Sequence, residues 1–277
     1  MTTGILHPGA MGASVAAACS GQTAWVSAGR SPATAERAER AGLEAVTSIA
    51  ELCERAEVIV SVCPPAAAVD VADAVAAAGF DGIYADVNAI APATARAIGE
   101  RFERFVDGGI IGPPAWEPGT TRLYLSGDDA AEVATRWEGS PLEVRLVEGG
   151  AGAASAVKAS YAAWTKGSAA LLLAVRALAR AEGVEDALVG EWARSQPGLD
   201  DRCARVASVN APKGWRFAGE LAEIAAAFEA RGLPGGFGLA ASEVYGALGP
   251  WKDAERDDVD LAAVLDALLD EPAPPPS

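Results

Sequence analysis

Up to about Val147 the chain alternates short apolar runs with segments of helical periodicity, the order of strand–helix units that feed a mainly parallel sheet. Strands are predicted over Gly4–His7, Ala24–Ser27, Val58–Val62, Ile83–Val87, Phe105–Asp107, Arg122–Ser126 and Val144–Val147. Helices are predicted between them over Met11–Cys19, Pro32–Ala41, Ile49–Arg55, Ala66–Ala78, Pro92–Glu103 and Asp129–Trp137. Four of the strands carry Val, Ile and Leu on both faces, the pattern of strands covered by helices on either side. After Gly149-Gly150 the strand patterns cease, and helices are predicted over Ala153–Glu182, Glu185–Ser195, Asp201–Val209, Ala218–Arg231, Ala240–Leu248 and Val259–Leu269. The expected fold class is therefore α/β: a doubly wound sheet over residues 1–148, then an all-α domain over 149–270, joined by a long interdomain helix. That helix is apolar on nearly every face, which predicts packing on all sides between domains or subunits. The Pro-rich tail over 271–277 can neither continue a helix nor join a sheet and is expected to be disordered.

Composition changes this picture in three ways. With 277 residues, 51% of them hydrophobic, there is ample material for two cores. The net charge of -16 would repel nucleic acid and anionic membrane surfaces, so neither is an expected partner. An anionic ligand must then be captured locally, by backbone N–H groups, a helix N-terminus and a placed arginine. Cys19, Cys53, Cys63 and Cys203 show no C-x-x-C spacing, and the single histidine, His7, cannot complete a metal cluster with them. No metal is expected, and reduced thiols imply a cytoplasmic protein. The first twenty residues lack the basic start of a signal sequence, and His7-Pro8-Gly9 interrupts their apolar stretch. The longest apolar run, Ala169–Val175, lies between Lys166 and Arg176, well short of the roughly 18 residues of a membrane span.

The chemistry begins at His7-Pro8-Gly9-Ala10-Met11-Gly12, a strand end, a glycine turn and a helix start. Gly9 would let the backbone approach a pyrophosphate, and Gly12 would let the helix lie close on its strand, as in a Rossmann dinucleotide site. His7 stands where the first glycine of G-x-G-x-x-G belongs, so the segment reads equally as a plain strand–turn–helix. After the second strand there is no acidic residue for the ribose hydroxyls; Arg30 and Ser31 stand there instead. They suit the 2′-phosphate of NADP(H), or else Arg30 is a solvated loop residue and Ser31 a helix cap before Pro32. Two more strand ends, Cys63-Pro64-Pro65 and Asp86-Val87-Asn88, point to the same crevice. Cys63 reads as a small buried apolar residue rather than a nucleophile, since no histidine is available to activate it.

Taken in order, Gly9-Ala10-Met11-Gly12, Cys63-Pro64-Pro65, Asp86-Val87-Asn88, Asp107-Gly108-Gly109-Ile110-Ile111-Gly112-Pro113 and Lys158 resemble the β-hydroxyacid dehydrogenase superfamily, which includes imine reductases and 6-phosphogluconate dehydrogenases. His7 to Gly12, Gly108 to Pro114 and Tyr161-Ala162-Ala163-Trp164-Thr165-Lys166-Gly167 resemble the branch whose C-terminal part is the domain of unknown function DUF1932. The resemblance implies an NADP(H)-dependent oxidoreductase that transfers a hydride to or from a small C=O or C–OH substrate. It places Lys158 as the proton donor or acceptor and implies a homodimer whose subunits complete each other's active sites. Desolvation on an apolar helix beside a cofactor that is cationic when oxidised would lower the lysine's pKa toward a useful range.

Tyr161, one helical turn on, stands where the dehydrogenases carry an asparagine, so it orients the lysine, donates the proton itself or is a core aromatic. The substrate is expected against Ile110, Ile111 and Gly112, with Trp116, Trp164, Thr165, Trp215 and Phe237 as further wall residues. Ile111 replaces the serine that binds a carboxylate in the hydroxyacid enzymes, which points to a less acidic or more hydrophobic substrate. Imine reduction and a non-catalytic NADP-binding sensor or interaction protein stay open as alternatives.

Overall fold

The structure, a computed structural model, describes residues 1–269; the expected disordered tail lies outside them. The described chain forms two compact units that divide between Ser160 and Tyr161.

The first unit is built on one eight-stranded sheet. Its strands are β1 (Thr2–Leu6), β2 (Gln22–Val26), β3 (Glu44–Val46), β4 (Val58–Ser61), β5 (Ile83–Asp86), β6 (Phe105–Ile111), β7 (Thr121–Ser126) and β8 (Leu142–Leu146). The helices between them are α1 (Ala10–Ala17), α2 (Pro32–Arg40), α3 (Ile49–Arg55), α4 (Ala68–Ala77), α5 (Pro92–Gly99) and α6 (Ala130–Ala134). The spatial order is β3-β2-β1-β4-β5-β6-β7-β8, with every pair parallel except β6 and β7. The chain winds outward from β1 in both directions, so the strand order reverses between β1 and β4, where ligands bind in folds of this kind.

Strand alternation explains the two cores. Ile5, Val58, Val60, Ile83, Ala85 and Val106 belong to one cluster with Val15 and Trp137. Their neighbours Leu6, Ile59 and Tyr84 belong to the other, with Leu52, Ala72, Val75 and Ile98. Each central strand therefore buries both faces. Helix starts follow local chemistry: the Ser31 hydroxyl accepts from Thr34 N–H ahead of Pro32, and the Ser48 hydroxyl accepts from Glu51 N–H.

Two differences from the sequence pattern have physical causes. β3 was not expected, because three residues with one buried side chain leave no periodicity to read. β6 continues four residues past its expected end at Asp107. Gly108 and Gly109, beyond that expected end, are strand residues against which other groups pack. A Cβ on Gly108 would lie 2.5 Å from a Val87 methyl, and one on Gly109 would lie 2.8 Å from Lys158 Cβ.

In chain order the helices continue with α7 (Ala153–Ala181), within which the two units divide, and then α8 (Glu185–Ser195), α9 (Leu199–Asn210), α10 (Gly214–Glu229), α11 (Gly236–Gly246) and α12 (Leu261–Ala267). α11 starts four residues before its expected start at Ala240, because Gly238 is where it lies on α10: a Cβ there would meet Leu221 O at 2.8 Å. Arg176 pairs with Glu185 and Asp200, and Arg180 with Glu185 and Asp266, which ties α7 to α8, α9 and α12. α7 is not covered on all sides within this chain. Trp164, Leu171 and Leu178, seven residues apart, are exposed at 71%, 65% and 61% and form one bare apolar stripe. Among the described residues no helix is long and apolar enough to cross a membrane.

Trp137 is 2% exposed and its indole N–H donates to Val15 O at 2.9 Å, so it anchors the turn after α6 to α1. Trp137→Ala is expected to cost about 3–5 kcal/mol, read as a lower midpoint in urea unfolding followed by far-UV circular dichroism.

Candidate active site

The parallel strands β1, β4, β5 and β6 all end on one rim of the sheet. The turn after β1 carries the only histidine. His7 has φ +66°, a left-handed conformation that costs a residue other than glycine about 1–2 kcal/mol. Gly9 N–H donates to His7 O at 2.7 Å and closes the turn. Gly12 is required for it: a Cβ there would lie 2.5 Å from His7 O. Gly9 has open space where a Cβ would stand, and as the residue before α1 it makes no side-chain cap. The first turn of α1 therefore presents N–H groups at an unobstructed glycine. Nδ1 of His7 is buried without a hydrogen-bond partner. Burial, helped by the nearby Arg30 guanidinium, pulls the His7 pKa down to about 4, so the imidazole is neutral at physiological pH.

Arg30 is exposed. The Ser31 hydroxyl is committed to capping α2, with Thr34 N–H donating to it at 3.3 Å and Thr34 Oγ1 3.0 Å away. Of the two, the structure therefore leaves the arginine as the side chain free to meet a ligand's phosphate.

The next two strand ends are welded together. Asn88, 3% exposed, donates through Nδ2 to Ser61 Oγ and to Asp86 Oδ2, each at 3.0 Å, and its Oδ1 accepts from Cys63 N–H at 2.5 Å. The whole amide is occupied by protein partners, so Asn88 acts by fixing the Cys63-Pro64-Pro65 turn. Asp86 is held by Asn88 N–H at 3.0 Å. Burial, with Asp107 on the neighbouring strand, pushes its carboxyl up to about 7. Burial likewise pushes the Cys63 thiol up to about 11, which leaves it protonated and a poor nucleophile.

Lys158 Nζ donates to Ile110 O at 2.7 Å. That carbonyl belongs to the penultimate residue of β6, so the amine stands on the same rim as the glycine turn. The Ile110 and Ile111 side chains are buried, and Ile110 contributes its backbone to this site. Gly112 has φ +132° beside the Thr120 carbonyl, a conformation and space that exclude a side chain. In the second unit Tyr161, Trp164, Trp215 and Phe237 are exposed, and the Thr165 hydroxyl donates to Tyr161 O at 3.0 Å. Trp215 lies under Lys252 and Arg216, whose charges are 4.7 and 5.7 Å from its ring centre.

Asp107, Gly109 and Ser155 also belong to this neighbourhood and were given no role in the sequence, although Asp107 and Gly109 stand in a motif that carries the resemblance. Their signal was a period-two pair, Asp107-x-Gly109, facing a helical i, i+3 pair, Ser155-x-x-Lys158.

Residues 179–248 match the family described as a domain of unknown function, DUF1932. An uncharacterized 28.5 kDa protein in the 7S RNA 5′ region of Methanothermus fervidus is 31% identical over 164 residues, covering 58% of this chain and 63% of that protein, less than two thirds of its length. A conserved hypothetical protein of Sinorhizobium meliloti is 25% identical with a TM-score of 0.70, covering 97% of this chain and 95% of its own. The 3-hydroxyisobutyrate dehydrogenase of Mycobacterium tuberculosis, solved with L-serine, is 19% identical with a TM-score of 0.69, covering 96% and 98%. A variant imine reductase of Myxococcus stipitatus, in complex with NAD+, is 19% identical with a TM-score of 0.56, covering 97% and 99%. The chain thus has the fold of the 3-hydroxyacid dehydrogenases and imine reductases, with the DUF1932 match in its C-terminal part, as its motifs implied.

His7 and Asp86 act oppositely on stability. Between pH 4 and 6.5 the unfolded chain protonates His7 while the folded chain does not, so this residue makes stability rise with pH. Between pH 4 and 7 the folded chain keeps the Asp86 proton that the unfolded chain loses, so this residue makes stability fall with pH. Relative to wild type, Asp86→Asn is expected to gain stability as pH rises across this window, and His7→Gly to lose it. Urea unfolding at pH 4.5, 5.5 and 6.5 checks both signs; parallel curves for the three proteins would refute them.

Proposed function

We propose that the chain is an NADP(H)-dependent oxidoreductase that moves a hydride to or from a small C=O or C–OH substrate, with Lys158 as proton donor and acceptor. One observation carries the reading: the Lys158 amine is hydrogen-bonded at the end of β6, on the sheet rim that also carries the open glycine turn of α1.

The residues present fit a dinucleotide. Gly9, Ala10, Met11 and Gly12 would place helix N–H groups against the pyrophosphate, with Pro8 shaping the turn. The unpartnered His7 Nδ1 would gain a partner, Arg30 would meet the 2′-phosphate, and the turn Cys63-Pro64-Pro65 held by Asn88 would bound the far side. When bound, the reduced nicotinamide supplies a hydride. Lys158 holds a proton at Nζ, delivers it to the substrate oxygen during reduction and recovers it during oxidation. Tyr161, one turn along the helix, is the second candidate for that proton. Ile110, Ile111 and Gly112 of the first unit, and Trp164, Thr165, Trp215 and Phe237 of the second, are each proposed to face substrate. Ile111 offers no hydroxyl for a carboxylate, which favours a less acidic substrate and keeps the C=N bond of an imine as the second reading. The four free thiols support a cytoplasmic setting.

The bare stripe of α7 supports a homodimer in which each subunit completes the other's active site. Leu171→Glu is expected to give a monomer in light scattering; a wild-type monomer would refute the assembly.

Quenching of intrinsic fluorescence measures nucleotide affinity without a substrate. Arg30→Ala is expected to weaken NADPH about tenfold, about 1.4 kcal/mol, and to leave NADH unchanged. Equal loss for both would remove the 2′-phosphate role. A screen of NADPH oxidation against keto acids, aldehydes and cyclic imines identifies the substrate. On it, Lys158→Ala is expected to lower kcat by about 10²–10⁴-fold; retained turnover would leave a nucleotide-binding protein without this mechanism.

A further inference from the structure

We propose that Asp107 is a positioning residue for Lys158: its buried carboxylate clamps the first turn of α7 through Ser155, while Gly109 lets the next turn rest on β6. This rests on the reading of Lys158 as the proton carrier and goes beyond it, because it assigns the placement of the amine to a residue that touches no substrate.

The register makes the arrangement possible. Alternate residues of a strand share a face, and residues three apart on a helix share a side. Asp107 and Gly109 therefore stand on one face of β6, opposite Ser155 and Lys158 on one side of α7. Asp107, fully buried, accepts from Ser155 N–H at 2.9 Å and from Ser155 Oγ–H at 2.5 Å. Ser126 Oγ lies 3.2 Å from the same carboxylate, within reach of Gly150 O at 3.1 Å, and accepts from Ala154 N–H at 3.0 Å. The first N–H groups of a helix need acceptors and carry partial positive charge, so an anion belongs there; here the protein supplies its own.

One turn later the contact becomes backbone against side-chain stem. A Cβ on Gly109 would lie 2.8 Å from Lys158 Cβ and 3.1 Å from Ala154 O. A side chain there would push α7 away from the strand and lift the amine off Ile110 O. The carboxylate fixes where the helix begins, and the glycine fixes how close it lies. Together they leave Lys158, a long side chain that would otherwise sample many rotamers, bonded at one carbonyl.

The sequence contains four lysines, Lys158, Lys166, Lys213 and Lys252, so reductive ¹³C-methylation of the full-length protein gives few enough resonances to assign, and K158A identifies the one in question. In Asp107→Asn and Ser155→Ala the Lys158 resonance is expected to move toward the position of a solvent-exposed lysine, with NADPH affinity within about twofold of wild type. On the screened substrate, kcat is expected to fall about tenfold with KM within about twofold. Gly109→Ala, which keeps the carboxylate, is expected to give the same split and covers the case in which Asp107→Asn does not fold. Lowered thermal stability with an unmoved Lys158 resonance and wild-type kcat in Ser155→Ala and Gly109→Ala would overturn the proposal, leaving a purely structural cap. Full turnover in K158A would instead refute the proton-carrier reading, and the resonance would still decide whether Asp107 places the amine.

Discussion

A helix can lie directly on a strand only where the strand gives up its side chain, and the candidate site depends on one such place. β6 carries two consecutive glycines in mid-strand, where glycine is otherwise a cost in entropy and packing. Gly108 admits Val87 on one face, and Gly109 admits the backbone and the Lys158 stem of α7 on the other. The strand is wide enough at that point for a helix to touch it and for Lys158 to reach a strand carbonyl. Without that approach the amine would be one more surface lysine.

The parallel strands do the rest by geometry. Because β1, β4, β5 and β6 run the same way, their loops gather on one rim although their sequences lie up to a hundred residues apart. Buried polar groups then hold these loops relative to one another. Asn88 ties the ends of β4 and β5, and Asp107 ties β6 to the start of α7. Two carboxylates on paired positions of neighbouring strands, Asp86 and Asp107, would repel if both were ionised. Burial raises both carboxyls, Asp86 to about 7, while the hydrogen bonds from the start of α7 oppose the rise at Asp107.

Much of this was legible in the sequence, because strands buried on both faces write uninterrupted apolar runs and parallel helices write clear periods. The strand ends, the glycine turn and Lys158 could all be named from residue order. What escaped has a common cause: the deciding partner is distant in sequence. Nothing near Gly108-Gly109 says that another element fills the vacated space, so the strand was expected to end at Asp107. Asn88 looked free to meet a ligand, since only the fold shows its amide occupied by Ser61, Asp86 and Cys63. Ser31 offered two roles, and the structure fixes the local one as a helix cap. The apolar stripe of α7, expected to pack between domains or subunits, is bare in the single chain, and a sequence does not record which of its faces a second copy would cover.

Strong negative charge constrains how such a chain can hold an anion. At a net charge of -16 the far field is repulsive, so attraction must be concentrated within a few ångströms, where it outweighs a field screened beyond about 10 Å. His7 does not supply it, because burial and Arg30 keep the imidazole neutral. What His7 contributes is shape: its left-handed backbone carries the carbonyl that Gly9 bonds and that Gly12 must clear. In the proposed nucleotide site the charge would fall to Arg30, exposed in the loop after β2, and the remaining attraction to the N–H groups of α1. A histidine in a glycine's place is thus compatible with the proposed nucleotide turn when the strain is local and the cation stands in the loop after the next strand.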